Sequence, residues 1–143
     1  MNASTNTDTP GDRDREGGLL AWQLRNYPAA HHDRTNLVLH AVTAPVFWSG
    51  TIALFAAAPV GLSRLGTAGT ALALAIAGVL AMAAAVAIQG RGHARETGRP
   101  APFRGPADVI VRIFLEQWIT FPRFVASGGF SRAWARDVPK SEA

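Results

Sequence analysis

A chain of 143 residues without a single cysteine excludes a disulfide framework, a thiolate metal site and a cysteine nucleophile. The length suits one domain. The charge is +4, 14 basic against 10 acidic side chains, yet the arginines flank apolar blocks rather than form one dense patch and Lys140 is the only lysine, so nucleic acid is not the expected partner.

Residues 1–18 are polar, with Gly and Pro and no aromatic side chain, and read as a disordered tail. No apolar core follows the first basic residues, so the stretch is not a signal peptide. Leu19, Leu20, Trp22, Leu24 and Tyr27 then fall partly on one helical face. That pattern fits a short helix in a membrane interface, with Trp22 and Tyr27 at headgroup level, or a packing helix without lipid contact. Pro28 ends or bends it.

His31 to Thr35 reads as a turn, with Asp33, Thr35 or Asn36 capping the helix that follows. From Thr35 to Ser63 there are 29 residues without a charge, and from Leu65 to Gly90 there are 26. Crossing a bilayer takes ~20. The expected architecture is therefore an all-α membrane protein, a two-span transmembrane helical hairpin over about 37–58 and 67–89 with flanking interfacial helices. Pro45 should kink the first span. Pro59, Gly61 and Arg64 should mark the turn, and the small residues Gly66, Ala68, Gly69 and Gly78 permit close helix contact. Four basic residues precede the first span, Arg64 lies in the turn, and nine follow the second. That asymmetry, with an Ala-, Gly- and Arg-rich composition, predicts a bacterial inner-membrane protein with both termini in the cytoplasm.

A Gly/Pro/Arg-rich connection follows. Residues 107–126 are apolar but interrupted by Arg112, Glu116, Gln117 and Arg123, with no clean stripe, and read as an interfacial or re-entrant helix. A third span would have to bury Glu116. Residues 127–143 read as a C-terminal tail.

All four histidines, His31, His32, His40 and His93, flank the two apolar blocks at one end of the expected hairpin. Asn36 and His40 are four apart and share a helical face. Three or four imidazoles suit Fe, Zn, Cu or Ni, and open positions on iron permit oxygen chemistry. Glu96, three residues after His93, is a candidate carboxylate partner. Arg91, Arg95, Arg99 and Arg104 are candidates to receive an anionic lipid or carboxylate, or are simply the basic flank of a span. No phosphate loop, serine-hydrolase elbow or HExxH motif occurs.

Tyr27, His31-His32, Asn36, His40 and Pro45, followed by two hydrophobic spans and then Gly92-His93, Glu96 and Arg99-Pro100-Ala101, form a pattern that resembles a small membrane family. It includes the fungal endoplasmic-reticulum 2-hydroxy fatty acid dioxygenase of α-oxidation and bacterial homologues. The resemblance covers about residues 20–105. It implies an Fe2+-dependent enzyme that uses O2 to remove one carbon from a 2-hydroxy fatty acid drawn from the lipid phase. It carries His31, His40 and His93 over as metal ligands, with His32 at a position that is histidine in some relatives. Asn36 becomes a supporting group in catalysis, beside Glu96, and Arg91, Arg95 and Arg99 would bind substrate. Thr43 stands where many relatives have glycine, Glu96 follows His93 unusually closely, and the segment from Phe103 to Phe130 departs from the family. Two other readings stay open: a non-enzymatic lipid-binding or assembly protein using the arginines, and a haem protein with two axial histidines. Two spans offer little surface to enclose a substrate, which predicts self-association.

Overall fold

The computed structural model describes residues 15, 17–63, 66–98 and 101–136. Expectations for residues 1–14, for Arg64, Arg99 and Pro100, and for residues 137–143 lie outside them. The described residues are all-α, with no strand among them.

Helix α1 (Gly18–Asn26) leads into a 3-10 turn, Tyr27–Ala30, which Pro28 suits because its missing N–H falls in the first turn. Asp33 then caps α2 (Arg34–Leu62): its carboxylate accepts from the Asn36 N–H at 2.9 Å. α2 continues through both Pro45 and Pro59 to Leu62, so it ends beyond the Pro59 and Gly61 expected in the turn. Thr67 caps α3 (Ala68–His93) by accepting from the Thr70 N–H at 3.1 Å. α2 overruns its expected span at both ends and α3 at its C-terminal end; His40 lies within α2 as expected, and His93, expected one turn beyond the second span, lies inside α3.

At 29 and 26 residues, α2 and α3 are about 44 and 39 Å long, more than the ~30 Å hydrocarbon thickness of a bilayer. Both are long and apolar enough to cross a membrane. Only 11% of the most apolar window of α3 is buried, against 39% for α2, so α3 is not a core helix wrapped by its own chain. The two pack antiparallel, with Asn36 against Gly92, Gly50 against Gly78 and Gly61 against Ala71. At the middle crossing a β-carbon on Gly50 would lie 2.7 Å from the Gly78 carbonyl oxygen, and one on Gly78 would lie 2.5 Å from that of Gly50. Only glycine lets these backbones meet.

The remaining helices gather over the histidine end of the hairpin. Helix α4 (Pro106–Leu115) passes through a π turn (Glu116–Thr120) into α5 (Phe121–Ala126), and α6 (Gly129–Arg136) follows. The π turn explains the missing stripe. The Phe121 N–H reaches back five residues to the Glu116 carbonyl, and the buried face steps from Arg112 to Gln117 before resuming at Thr120, Phe121 and Phe124. Trp48 on α2 donates to the Gln117 carbonyl at 2.8 Å within that turn. Tyr27, Leu37, Ala44, Phe121, Phe124 and Ala133 form the apolar core here. Fully burying a side chain such as Leu37 contributes roughly 1.5–3 kcal/mol.

Three expectations change. Tyr27 is packed inside the protein rather than presented outward: it is buried, stacked on the His31 ring at 3.7 Å. Residues 127–136, expected in a tail, include α6, whose Ala133 joins the core and whose Trp134 carbonyl accepts from Arg34 at 3.0 Å. Likewise Arg15, expected in the N-terminal tail, pairs with Asp108 on α4 at 2.7 Å.

Candidate metal centre

Four elements each contribute one side chain to a single point. His31 closes the 3-10 turn, His40 lies within α2, His93 ends α3, and Glu116 opens the π turn. Their four nearest donor atoms lie within 4.8 Å of one another. Glu116 Oε1 is 3.2 Å from His40 Nε2, 3.7 Å from His31 Nε2 and 3.9 Å from His93 Nε2. The three rings stand nearly edge-on to one another, with centroids 4.7, 4.8 and 4.9 Å apart.

The far side of two rings is already engaged. His31 Nδ1 lies 2.8 Å from the Tyr27 carbonyl and His40 Nδ1 lies 3.0 Å from the Asn36 carbonyl. A carbonyl only accepts, so each Nδ1 carries the proton and each Nε2 presents a lone pair inward. Those two lone pairs are 3.4 Å apart and both face a carboxylate. Such an arrangement is repulsive unless positive charge lies among the four atoms.

A second proton on each ring would supply that charge. Burial, however, pushes the His31 imidazolium down, and neighbouring His40 and His93 push it further, although hydrogen bonding to Glu116 pulls it up. Burial would push the Glu116 carboxyl up, but hydrogen bonds to His31, His40 and His93 hold it well below its ordinary range. The Tyr27 phenol is pushed up by burial and then by the Glu116 charge, so it stays neutral. Those hydrogen bonds to Glu116 need a proton on Nε2, so they and the inward lone pairs cannot hold together; a cation in place of those protons leaves the bare Nε2 donors and ionised carboxylate that a metal ion requires. A divalent cation satisfies all four donors at once, and the set of three imidazoles and one carboxylate suits first-row metals.

Not every expected residue reaches this point. His32 is exposed, and its backbone N–H, not its ring, is used: it donates to Glu96 at 2.9 Å. His32 is therefore not a donor here. Glu96 does not join the cluster either. Its carboxylate also accepts from the Asp33 N–H at 3.2 Å and from Asn36 Nδ2 at 2.7 Å, so it binds the 31–33 turn to the end of α3. Asn36 is wholly buried, its backbone carbonyl on His40 and its amide on Glu96. Gly92 is required beside it, because a β-carbon there would overlap Asn36 Oδ1. Behind His40, Gln89 and Gln117 exchange hydrogen bonds at 2.7 and 3.1 Å, and Gln89 also donates to Thr43 at 2.8 Å. Thr43 thus works as a polar anchor between α2 and α3.

Glu116 was the residue that sequence reading missed as a donor. The available signal was a lone carboxylate in an apolar helical stretch, which in such a setting needs a partner.

A cavity of about 660 Å3 adjoins the cluster, within the roughly 300–1,000 Å3 usual for small-molecule sites. His31, His93 and Glu116 line it, together with Arg15, Arg104 and Arg112. Arg91 and Arg95 do not line it: Arg91 is exposed, and Arg95 lies 4.0 Å from Asp33. Arg99 is outside the described residues.

No protein-family model matches this chain, and neither a search of curated proteins nor one of solved structures finds a match.

Proposed function

We propose that this chain is a membrane-embedded, iron(II)-dependent dioxygenase that shortens a 2-hydroxy fatty acid by one carbon. The observation that carries the reading is the convergence of His31, His40, His93 and Glu116 beside a cavity rich in arginine. The two apolar helices support residence in the bilayer, with the acyl chain supplied from the lipid phase. Iron bound there would supply the oxygen-activating chemistry.

His31, His40 and His93 would hold the metal. Their Nδ1 partners matter because the Tyr27 and Asn36 carbonyls fix which nitrogen faces inward. Glu116 would be a fourth holder. Its side chain is 21% exposed and lines the cavity, whereas that of His40 is fully buried, so its carboxylate is the group of the four placed to take a proton from a bound acid. The sum balances: a 2-hydroxy acid and O2 yield the acid shortened by one carbon, CO2 and water.

Convergence of three edge-on imidazoles on one point favours this reading over a haem with two axial histidines, which would face each other across a plane. The test is elemental analysis of protein purified in detergent, wild type beside His31→Ala, His40→Ala and His93→Ala, followed by assay of 2-hydroxy fatty acids under O2. Near-stoichiometric iron lost in each variant, with CO2 release in the wild type, is the expected result. A protein that stays metal-free after anaerobic iron loading would end the proposal, and a Soret band would replace it with haem.

A further inference from the structure

Arg112 is a buried guanidinium whose charge is only partly answered. It is 7% exposed, held between the rings of Trp22 at 4.9 Å and Phe103 at 4.4 Å. Its Nη1 donates to the carbonyls of Ala101 and Pro102, both at 3.1 Å. Its nearest carboxylate among the described residues, Asp108, approaches only to 3.7 Å and is already engaged elsewhere, and Glu116 acts on it without an ion pair. Asp108 takes two hydrogen bonds from Arg15, at 2.7 and 2.9 Å, and a third from the Arg104 N–H at 3.0 Å. Arg112 Nε is buried with no hydrogen-bond partner. A buried charge left so is costly unless a further anion completes it.

The neighbours of Arg112 show the same deficit. Gln23 donates through Nε2 to the Arg112 carbonyl at 2.9 Å, which fixes its amide orientation, and its Oε1 is buried with no donor. The Tyr27 hydroxyl has no partner at hydrogen-bond distance and faces the Glu116 carboxylate from beyond it. Gln23, Tyr27 and Arg112 all line the cavity that reaches His31, His93 and Glu116. Arg112 and Glu116 are four apart on one helical run, so their side chains start roughly 5–6 Å from one another.

We infer that this cavity binds the head of a 2-hydroxy carboxylate: Arg112 takes the carboxylate, and Gln23 takes the hydroxyl, with Tyr27 bridging them. The chemistry is complementary. Arg112 offers a charged donor, which calls for an anion, and bonds to charged groups are the strong ones. Gln23 Oε1 accepts only, which calls for a hydroxyl beside that anion. A plain carboxylate leaves Gln23 unanswered, and an ester leaves Arg112 so. The assignment rests on the proposed function for the ligand class, and it moves the carboxylate partner from Arg91, Arg95 and Arg99 to Arg112.

Binding to metal-free protein separates the two ideas. Titration calorimetry in neutral detergent, corrected for partition into empty micelles, would compare 2-hydroxyhexadecanoate, hexadecanoate and methyl 2-hydroxyhexadecanoate. Wild type should prefer the hydroxy acid over its methyl ester by roughly 10-fold or more, as a charge-assisted bond implies. Gln23→Leu should keep that preference but lose the preference for the hydroxy acid over the plain acid. Arg112→Gln should lose the acid-over-ester preference. Should Arg112→Gln lose its native circular dichroism, the wild-type ratios and Gln23→Leu decide alone. Equal binding of acid and ester by wild type, or an unchanged hydroxyl preference in Gln23→Leu, would overturn the inference. Iron and turnover without this discrimination would overturn the subsite and leave the enzyme standing. Discrimination without iron or turnover would do the reverse.

Discussion

The two ends of the α2–α3 hairpin are built on different physics. At the histidine end, the helices are joined by polar groups: Asn36 to Glu96, Thr43 to Gln89, and Gln89 to Gln117. Other helices cover them. Toward the far end the join is mostly shape, with Gly50 on Gly78, Gly61 on Ala71 and one bond from the Thr51 hydroxyl to the Met82 sulfur at 3.4 Å, while Phe55, Leu62, Leu72 and Leu80 face outward at 61% exposure or more. The far end is thus suited to an apolar surrounding, as a helix pair long and apolar enough to cross a membrane would be. The near end makes its own surrounding and can place charge inside it. One helix pair is thus apolar and outward-facing at one end and half of a polar site at the other.

Substitutions should separate these ends. The largest effect is expected for His40→Ala, which removes a wholly buried donor and should lower affinity for Fe2+ or Co2+ by more than roughly 100-fold, exceeding the usual cost of losing a supporting group. The metal-free protein should remain helical, so metal-induced stabilisation is lost while the helix pair persists. An unchanged affinity would remove His40 from the site. Next is Gly78→Leu, which forces a side chain into the Gly50 carbonyl and the Leu54 backbone. It should destabilise by about 1–3 kcal/mol or more, equally with and without metal. Thermal unfolding in detergent with both forms checks this, and a loss confined to the metal-loaded form would mean that the ends are coupled. Smaller again is Glu96→Gln, which weakens the hold on the 31–33 turn and should lower metal affinity about 10-fold, read by Co2+ titration. A loss as large as that of His40→Ala would make Glu96 a donor after all.

The far end was legible in the sequence and the near end only partly so. Uncharged runs of 29 and 26 residues announce two long helices without any knowledge of their neighbours. His31 and His93 were recoverable because they flank those runs and His40 because it lies near the start of the first, and hairpin geometry brings that start and the end of the second run together. Glu116 was not, because its partners are 76 and 85 residues earlier on helix α2 and the turn before it, and 23 earlier on α3, and a π turn breaks the period that would have aimed it inward. Arg112 was read as an interruption of an apolar segment for the same reason. Glu96 misled through proximity to His93: spacing along the chain placed it near the imidazoles, but at the close of α3 its carboxylate turns to the backbone N–H groups of His32 and Asp33. The helices overran the expected spans because Asp33 caps α2 ahead of its expected start, Pro59 does not end α2, and residues 90–93 continue α3.

The smallest effect expected is also the one that most sharply contrasts the ends, because it concerns acid. Asp108 binds Arg15 with two hydrogen bonds and takes a third from the Arg104 N–H, which together hold its carboxyl well below the ordinary carboxylate range. A carboxyl whose folded pKa is depressed adds stability that is complete above the unfolded value, about 3.9, and is lost as pH falls through that value toward the folded one. The covering helices should accordingly loosen from about pH 5 downward, whereas glycine packing at the far end has nothing to titrate. His31 complicates a simple scan, since its own depressed pKa makes the metal-free protein lose stability below about 6.5. The comparison that isolates Asp108 is the difference between wild type and Asp108→Asn, both metal-free, at pH 7 and at pH 3. His31 contributes equally to both and cancels. Wild type should be the more stable at pH 7, and the gap should narrow at pH 3, as read by unfolding midpoints in detergent. A gap that stays constant with pH would mean that the Arg15 pair holds nothing together, and that α1 and α4 are joined by Gln23 and the Trp22 face alone.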